Sequence, residues 1–166
     1  VLTHALLQHL PDVAPAGRAR AAERFLLARA AALSASDRVG LIEQALRVLD
    51  QPGLAALFGP HARAEAAIAG KVVLGDGREV EIAGRIDRLA VTDDAVLLAD
   101  FKTGAPRPAP ETPARIVSQF ALYRAALQPL WPDRPVRALL VWTAGPRVVE
   151  LDPAALDAAL ARLAAP

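Results

Sequence analysis

The sequence predicts an α/β fold, with a central mixed sheet flanked by helices and a helical layer at the N-terminal end. Three patterns predict it: apolar residues at helical spacing in the first third, short β-type runs in the middle, and a helix–strand–helix order in the last third. The 166 residues, 54% hydrophobic and 22% charged, fit one globular domain with a buried core. We expect one domain over residues 1–166, with the helical layer at 1–58 and an α/β core at 61–166.

Three stretches of the first third are predicted to be helical. Leucines recur at helical spacing in Val1–Leu10, and the alanine-rich stretch Gly17–Leu33 follows two prolines. A third helix is predicted to begin at the N-cap pair Ser36-Asp37 and to end near Leu49. We expect these helices to form one layer of the domain.

The middle and the end of the chain are predicted to supply the sheet and its remaining helices. β-Type patterns cover Arg63–Ala69, Val72–Leu74, Glu79–Ala83, Arg85–Val91 and Ala95–Lys102. Gly75-Asp76-Gly77 and Asp93-Asp94 are typical of hairpin turns. The later elements are predicted as a helix at Ala114–Leu130, strands at Val136–Thr143 and Val148–Leu151, and a helix at Ala154–Ala164 after Asp152-Pro153.

Composition excludes several classes of chemistry. The chain has no cysteine, which excludes disulfides, thiol catalysis and zinc–thiolate sites and permits the cytoplasmic location that we expect. No apolar run is long enough to span a membrane. The net charge of +1 gives no bulk attraction for nucleic acid, so any such surface must be local. Because the chain lacks methionine and opens inside a helical pattern, we expect it to be a piece of a longer polypeptide, or to have been trimmed from one.

The hairpin around Asp93-Asp94 carries the residues that suggest chemistry. A turn centred between these two residues places Asp87 opposite Asp100, with their Cβ atoms about 5 Å apart. Two carboxylates so placed repel each other, and a divalent cation such as Mg²⁺ or Mn²⁺ would neutralise them. Lys102 projects into the same space, two residues after the second acid. The sequence therefore predicts a metal-dependent site at this strand end.

Side-chain alternation predicts how the hairpin is buried. Leu89 and Leu98 share one face with the two acids, whereas Ile86, Arg88 and Phe101 share the other. Because both faces are largely apolar, we expect the hairpin to lie deep in a sheet that is covered on both sides.

Three motifs and one helix together resemble a known nuclease family. The motifs are G-R-I-D-R-L at 84–89, D-F-K-T at 100–103 and Q-F-A-L-Y at 119–123, and the helix surrounds His4. In this combination the chain resembles the RecB-like branch of the PD-(D/E)XK nuclease superfamily, most closely the C-terminal nuclease domain of AddA-type helicase–nucleases. The resemblance implies a restriction-endonuclease-like core and a Mg²⁺-dependent deoxyribonuclease of exonuclease type, with Mn²⁺ as a possible substitute.

The resemblance also implies roles and partners. The implied metal ligands are His4, Asp87, Asp100 and the backbone carbonyl of Phe101. The implied catalytic residues are Asp87, Asp100, Lys102, Gln119 and Tyr123, the last two on the helix that flanks the site. The implied partners are DNA with single-stranded ends, a helicase domain in the same polypeptide, and an AddB-like subunit, all acting in double-strand break repair and recombination.

Other interpretations stay open at this point. The two acids and the lysine could form a structural ion cluster, although a buried pair of acids is costly without a function. His4 could be an ordinary helix histidine, and Gln119 and Tyr123 could be packing residues. Glu65 is a further acid on the first strand. The arginines that could touch phosphates, although surface arginines are seldom so specific, are Arg85, Arg88, Arg107 and Arg115.

Two other functions also remain open. The chain could be a stand-alone RecB-like exonuclease, or a catalytically inactive module kept for DNA threading or subunit contact. The intact pair of acids and the lysine argue against the inactive module.

Overall fold

The computed structural model describes residues 2–165, which contain five α-helices and five strands. The helices α1 to α5 are Leu2–His9, Arg18–Arg29, Ala35–Leu49, Ala114–Leu127 and Pro153–Ala164. The strands β1 to β5 are Ala62–Val73, Glu79–Val91, Val96–Lys102, Val136–Trp142 and Arg147–Glu150. Short 3₁₀ turns lie at Leu10–Asp12, Pro15–Gly17, Pro52–Phe58, Ala109–Glu111 and Gln128–Leu130. Within residues 2–165, no helix has the length and apolar character needed to cross a bilayer.

The five strands form one sheet in which spatial order follows sequence order, from β1 to β5. β3 and β4 run parallel, and the other neighbouring pairs are antiparallel. The parallel pair needs a crossover, which α4 provides between the two strands. The predicted α/β class, a central mixed sheet flanked by helices, is confirmed.

Both faces of the sheet are covered, as predicted for the central hairpin. One buried cluster joins the sheet to α4 and α5 and includes Leu98, Phe120, Leu127, Leu140 and Leu156. The other joins the sheet to α1, α2 and α3 and includes Leu7, Leu26, Val48, Leu97 and Phe101. Eight residues are too few for α1 to be stable alone. Burial of Leu6 and Leu7, at about 1.5–3 kcal/mol each, holds this helix on the sheet.

The structure corrects several element boundaries, among them the end of α2, which lies at Arg29 rather than at Leu33. The N-cap of α3 is Ser34 rather than Ser36, because Oγ of Ser34 accepts a hydrogen bond from the N–H of Asp37 at 3.1 Å. β1 and β2 are each continuous where the sequence predicted interruptions. The two interior glycines are paired with isoleucines across the β1–β2 ladder, Gly70 with Ile82 and Gly84 with Ile68, and this pairing overrides their weak strand propensity. α4 also ends three residues earlier than predicted.

The predicted alternation of β2 is wrong at Ile86. Ile86 packs in the cluster with α4, on the same side as Leu89, although the two residues lie an odd number of positions apart. The β1–β2 ladder contains Ala64–Arg88 and Ala66–Ile86 but no pair between them. Glu65 lies at this gap with φ of +50°, a left-handed backbone conformation that is uncommon for any residue with a Cβ. The local distortion opposite Asp87 therefore switches the faces of β2.

Candidate active site

The end of the β2–β3 hairpin brings Asp87 against the D-F-K segment. The ladder follows the predicted register, with Leu89 opposite Leu98, but its pairs stop one step before Asp87 and Asp100. At that step the N–H of Phe101 donates a hydrogen bond to Oδ2 of Asp87 at 2.8 Å. The Asp87 carboxylate thus extends the hydrogen bonding between β2 and β3 by one step. The same hydrogen bond fixes the position of this carboxylate.

His4 reaches the same place from α1. Its Nε2 lies 2.7 Å from the carbonyl oxygen of Phe101 and 3.6 Å from Oδ2 of Asp87. The short contact to a carbonyl places a proton on Nε2, so that this nitrogen donates. The ring packs edge-on against the Phe101 ring, with centroids 5.9 Å apart. Three of the four implied ligands therefore converge, although their residues lie up to 97 positions apart.

Asp100 and Lys102 form an ion pair beside this group. Nζ of Lys102 lies 2.5 Å from Oδ2 of Asp100, and the two side chains are 28% and 25% exposed. This carboxylate oxygen is buried and has no hydrogen bond of acceptable geometry within the described part of the chain. The Lys102 ammonium therefore lies close to Oδ2 of Asp100. This oxygen still lacks a well-aligned hydrogen bond among the described residues.

The oxygen donors fit a hard divalent cation. Carboxylate and carbonyl oxygens suit Mg²⁺ and Mn²⁺, and imidazole is the commonest side-chain metal ligand. Among residues 2–165, no three His, Asp or Glu side chains are already arranged as a metal cage. The donors contact their neighbours instead: His4 bonds to the Phe101 carbonyl, and Asp100 pairs with Lys102. The buried, unsatisfied oxygen of Asp100 is an acceptor that a cation would satisfy.

Burial raises the pKa of Asp87 above its ordinary value of 3.8. The hydrogen bond from Phe101 opposes this rise, whereas the neighbouring Asp100 carboxylate adds to it. A folded-state pKa above the unfolded one means that the ionised carboxylate opposes folding at neutral pH. Stability therefore increases as the pH falls through the raised pKa toward 3.8.

Asp87→Asn should accordingly stabilise the metal-free protein at pH 7. The amide oxygen can still accept the Phe101 N–H, and the buried charge is gone. We expect the midpoint of thermal unfolding to rise by about 2–4 °C, the change that about 1 kcal/mol gives at this chain length. Saturating Mg²⁺ should stabilise the wild type but not the variant. A lower midpoint for metal-free Asp87→Asn would contradict the argument.

Gln119 and Tyr123 lie one helical turn apart on α4 and contact each other. Nε2 of Gln119 donates to Oη of Tyr123 at 3.1 Å, which satisfies the tip of the tyrosine. Both side chains line a small cavity together with Asp100 and Arg85. The cavity therefore places this helix motif beside Asp100.

Gly84 is required by the close approach of Tyr123. A Cβ on Gly84 would overlap Oη of Tyr123 and lie 2.9 Å from its Cζ. Because Tyr123 is buried, its ring has little room to move away. We expect Gly84→Ala to cost about 1–3 kcal/mol of unfolding free energy. Tyr123→Phe should partly relieve this cost, so denaturation of both single variants and the double variant should show favourable coupling; strict additivity would contradict the contact.

An open groove of about 570 Å³ passes the site and includes His4, Glu65 and Lys102 in its lining. Glu65 also lies 3.5 Å from Nη1 of Arg85. A larger groove of about 650 Å³ lies near the opposite end of the hairpin, beside Asp93. It contains none of the predicted catalytic residues. The candidate site lies at the smaller groove, because the predicted site residues His4, Phe101 and Lys102 line it.

Arg88 is not the surface arginine that the sequence suggested. Its side chain is buried, although Arg107 and Arg115 are exposed. Strand alternation already placed Arg88 on the same face as Phe101, and a charged residue on an apolar face is the one sequence signal for this burial. The structural role of Arg88 was not foreseen from the sequence.

A mixed sheet flanked by helices, with two acids and a lysine at the end of two adjacent strands, is consistent with an α/β fold of the restriction-endonuclease-like class. Residues 1–164 match the PD-(D/E)XK nuclease superfamily, and the chain belongs to that superfamily. No curated protein sequence matches the chain. The crystal structure of SSO0001 is similar over 98% of this chain and 71% of that one, with 19% identity and a TM-score of 0.39. That likeness is too slight to support any argument about function.

Proposed function

We propose that this chain is a Mg²⁺-dependent deoxyribonuclease that hydrolyses phosphodiester bonds. The observation that carries the proposal is the convergence of His4 Nε2, the Phe101 carbonyl and Asp87 Oδ2 next to the Asp100–Lys102 pair. A structural ion cluster would not need a backbone carbonyl contacted by a histidine from a distant helix. Membership of the superfamily supports the same chemistry.

The residues of the chain divide the work of hydrolysis. Asp87, fixed by the Phe101 N–H, and His4, fixed by the Phe101 carbonyl, hold donor atoms in place before substrate arrives. Lys102 offers a compact cation that can orient the attacking water and offset charge on the scissile phosphate. A divalent cation held by these ligands would lower the pKa of the attacking water and neutralise phosphate charge.

A nuclease assay with matched substrates tests the proposal. The purified chain is incubated with linear duplex DNA, linear single-stranded DNA, closed circular DNA and RNA, with Mg²⁺, Mn²⁺ or a chelator. We expect linear DNA to be degraded with Mg²⁺ or Mn²⁺ and to stay intact with the chelator. Cleavage that is independent of metal would contradict the proposal. A folded, metal-binding protein that cleaves nothing would favour the inactive DNA-threading module.

We propose further that the domain acts as an exonuclease of the RecB/AddA branch, supplied with DNA by a helicase in double-strand break repair. The support is the combination of G-R-I-D-R-L, D-F-K-T and Q-F-A-L-Y with a histidine in α1. Degradation of linear single strands with closed circles left intact is the expected result. Equal cleavage of circles would contradict the exonuclease type. Purification of the native full-length protein with a helicase domain and an AddB-like subunit would test the partners.

A further inference from the structure

We propose that Arg88 is a positioning residue that holds helix α1, and with it the His4 imidazole, at the metal-binding strand end. The inference rests on the proposed function, because it concerns a ligand of that site. Arg88 is 5% exposed, and its Nη2 lies 2.6 Å from the carbonyl oxygen of Leu7 and 3.2 Å from that of Gln8. These carbonyls belong to the last turn of α1, and the residue that would donate to the Leu7 carbonyl in a continued helix is Pro11, which has no N–H.

The position of Arg88 links the two elements that form the site. It follows Asp87 directly on β2, and it binds α1 less than one turn beyond His4. A cation at a helix C-terminus also interacts favourably with the helix dipole. Because α1 has only eight residues, it depends on such tertiary contacts for its placement. A shift of the Leu7 end would therefore move the imidazole relative to the Phe101 carbonyl.

Aromatic packing also connects Arg88 to His4, through the rings of Phe58 and Phe101. The Arg88 guanidinium lies over the Phe58 ring, 5.2 Å from its centroid. Phe58 stacks on Phe101 with centroids 6.2 Å apart and an angle of 3° between the planes. The His4 ring packs edge-on against Phe101, the second ring of this stacked pair. One guanidinium therefore contacts both the helix that carries His4 and the aromatic pair that supports its ring.

The proposal predicts a loss of metal affinity that runs through His4. Residues that orient metal ligands typically contribute 10- to 100-fold to affinity. We expect Arg88→Met, which fills the space of the stem without donors, to weaken Mn²⁺ binding about tenfold in calorimetry. His4→Ala should weaken binding as well, and the double variant should be no weaker than His4→Ala within about twofold. Wild-type affinity in Arg88→Met, or additive losses in the double variant, would overturn the proposal.

A second measurement needs no metal and covers a variant that folds poorly. Arg88→Lys keeps the charge but loses the planar fork and the stacking surface. In the metal-free protein, we expect amides of α1 to exchange with solvent about tenfold faster in Arg88→Lys, with α5 unchanged. Unchanged exchange in α1 would overturn the proposal.

The matched control is Arg38→Lys. Arg38 bonds to the Leu33 carbonyl at 2.6 Å and to Glu23, with no contact to the site in the described residues. The Arg38→Lys variant should leave Mn²⁺ affinity and the amide exchange of α1 unchanged. If it weakens Mn²⁺ binding as much as Arg88→Met does, a specific role for Arg88 is overturned. If the wild type binds no Mn²⁺, the proposed function fails, whereas the exchange measurement still decides whether Arg88 positions α1.

Discussion

Replacing Asp100 with alanine is expected to abolish both metal binding and DNA cleavage. A bound cation contributes several kcal/mol of transition-state stabilisation, and each 1.36 kcal/mol is tenfold in rate, so the loss should be at least about 10³-fold. Asp100 supplies a buried oxygen that pairs with the Lys102 ammonium and makes no hydrogen bond among the described residues. Without this carboxylate, Asp87 is the one remaining acid of the pair, and charge neutralisation no longer requires a divalent ion.

The control for this prediction lies on the same hairpin. Asp94 is exposed at the turn, far along the strands from the site, so Asp94→Ala should keep wild-type cleavage and metal affinity. Calorimetry with Mn²⁺ and a time course of linear DNA degradation measure the two effects, and circular dichroism confirms folding. Unchanged metal affinity in folded Asp100→Ala would show that the ligand assignment is wrong.

The hairpin register could be predicted because it depends on local rules. Strand side chains alternate with a period of two, and a symmetric turn fixes which residues face each other. Leu89 therefore faces Leu98 as predicted. The same rule failed at Ile86, because the left-handed backbone of Glu65 on the neighbouring strand interrupts the ladder. A distortion caused by another strand leaves no signal in the sequence of the hairpin itself.

The site shows the same division between local and long-range information. The spacing of Asp100 and Lys102 placed them on one face, and the structure pairs them. The contact of His4 with the Phe101 carbonyl joins residues 97 positions apart, so only the family resemblance suggested it. The burial of Arg88 depends on where α1 ends in space. Such contacts arise from tertiary packing, which periodicity alone does not describe.

Lys102→Arg is expected to reduce kcat by at least about 100-fold, although the positive charge is kept. A guanidinium is planar and presents a fork of donors that binds a carboxylate through two parallel hydrogen bonds. Lys102 Nζ already lies 2.5 Å from Asp100, so an arginine here would hold both carboxylate oxygens and compete with a cation for them. It would also lack the compact ammonium that can approach an attacking water or a phosphate oxygen closely.

The other lysine of the chain provides the matched control for this change. Lys71 pairs with Glu79 across the exposed part of the β1–β2 hairpin, so Lys71→Arg should leave kcat unchanged. Lys102→Gln separates the two causes, because it removes the charge without adding a fork. If the fork is the main defect, Lys102→Arg should bind Mn²⁺ more weakly than Lys102→Gln does, while both cleave slowly at saturating metal. Lys102→Arg with most of the wild-type rate would mean that position 102 supplies only charge, and the nuclease mechanism would have to place its water without a lysine.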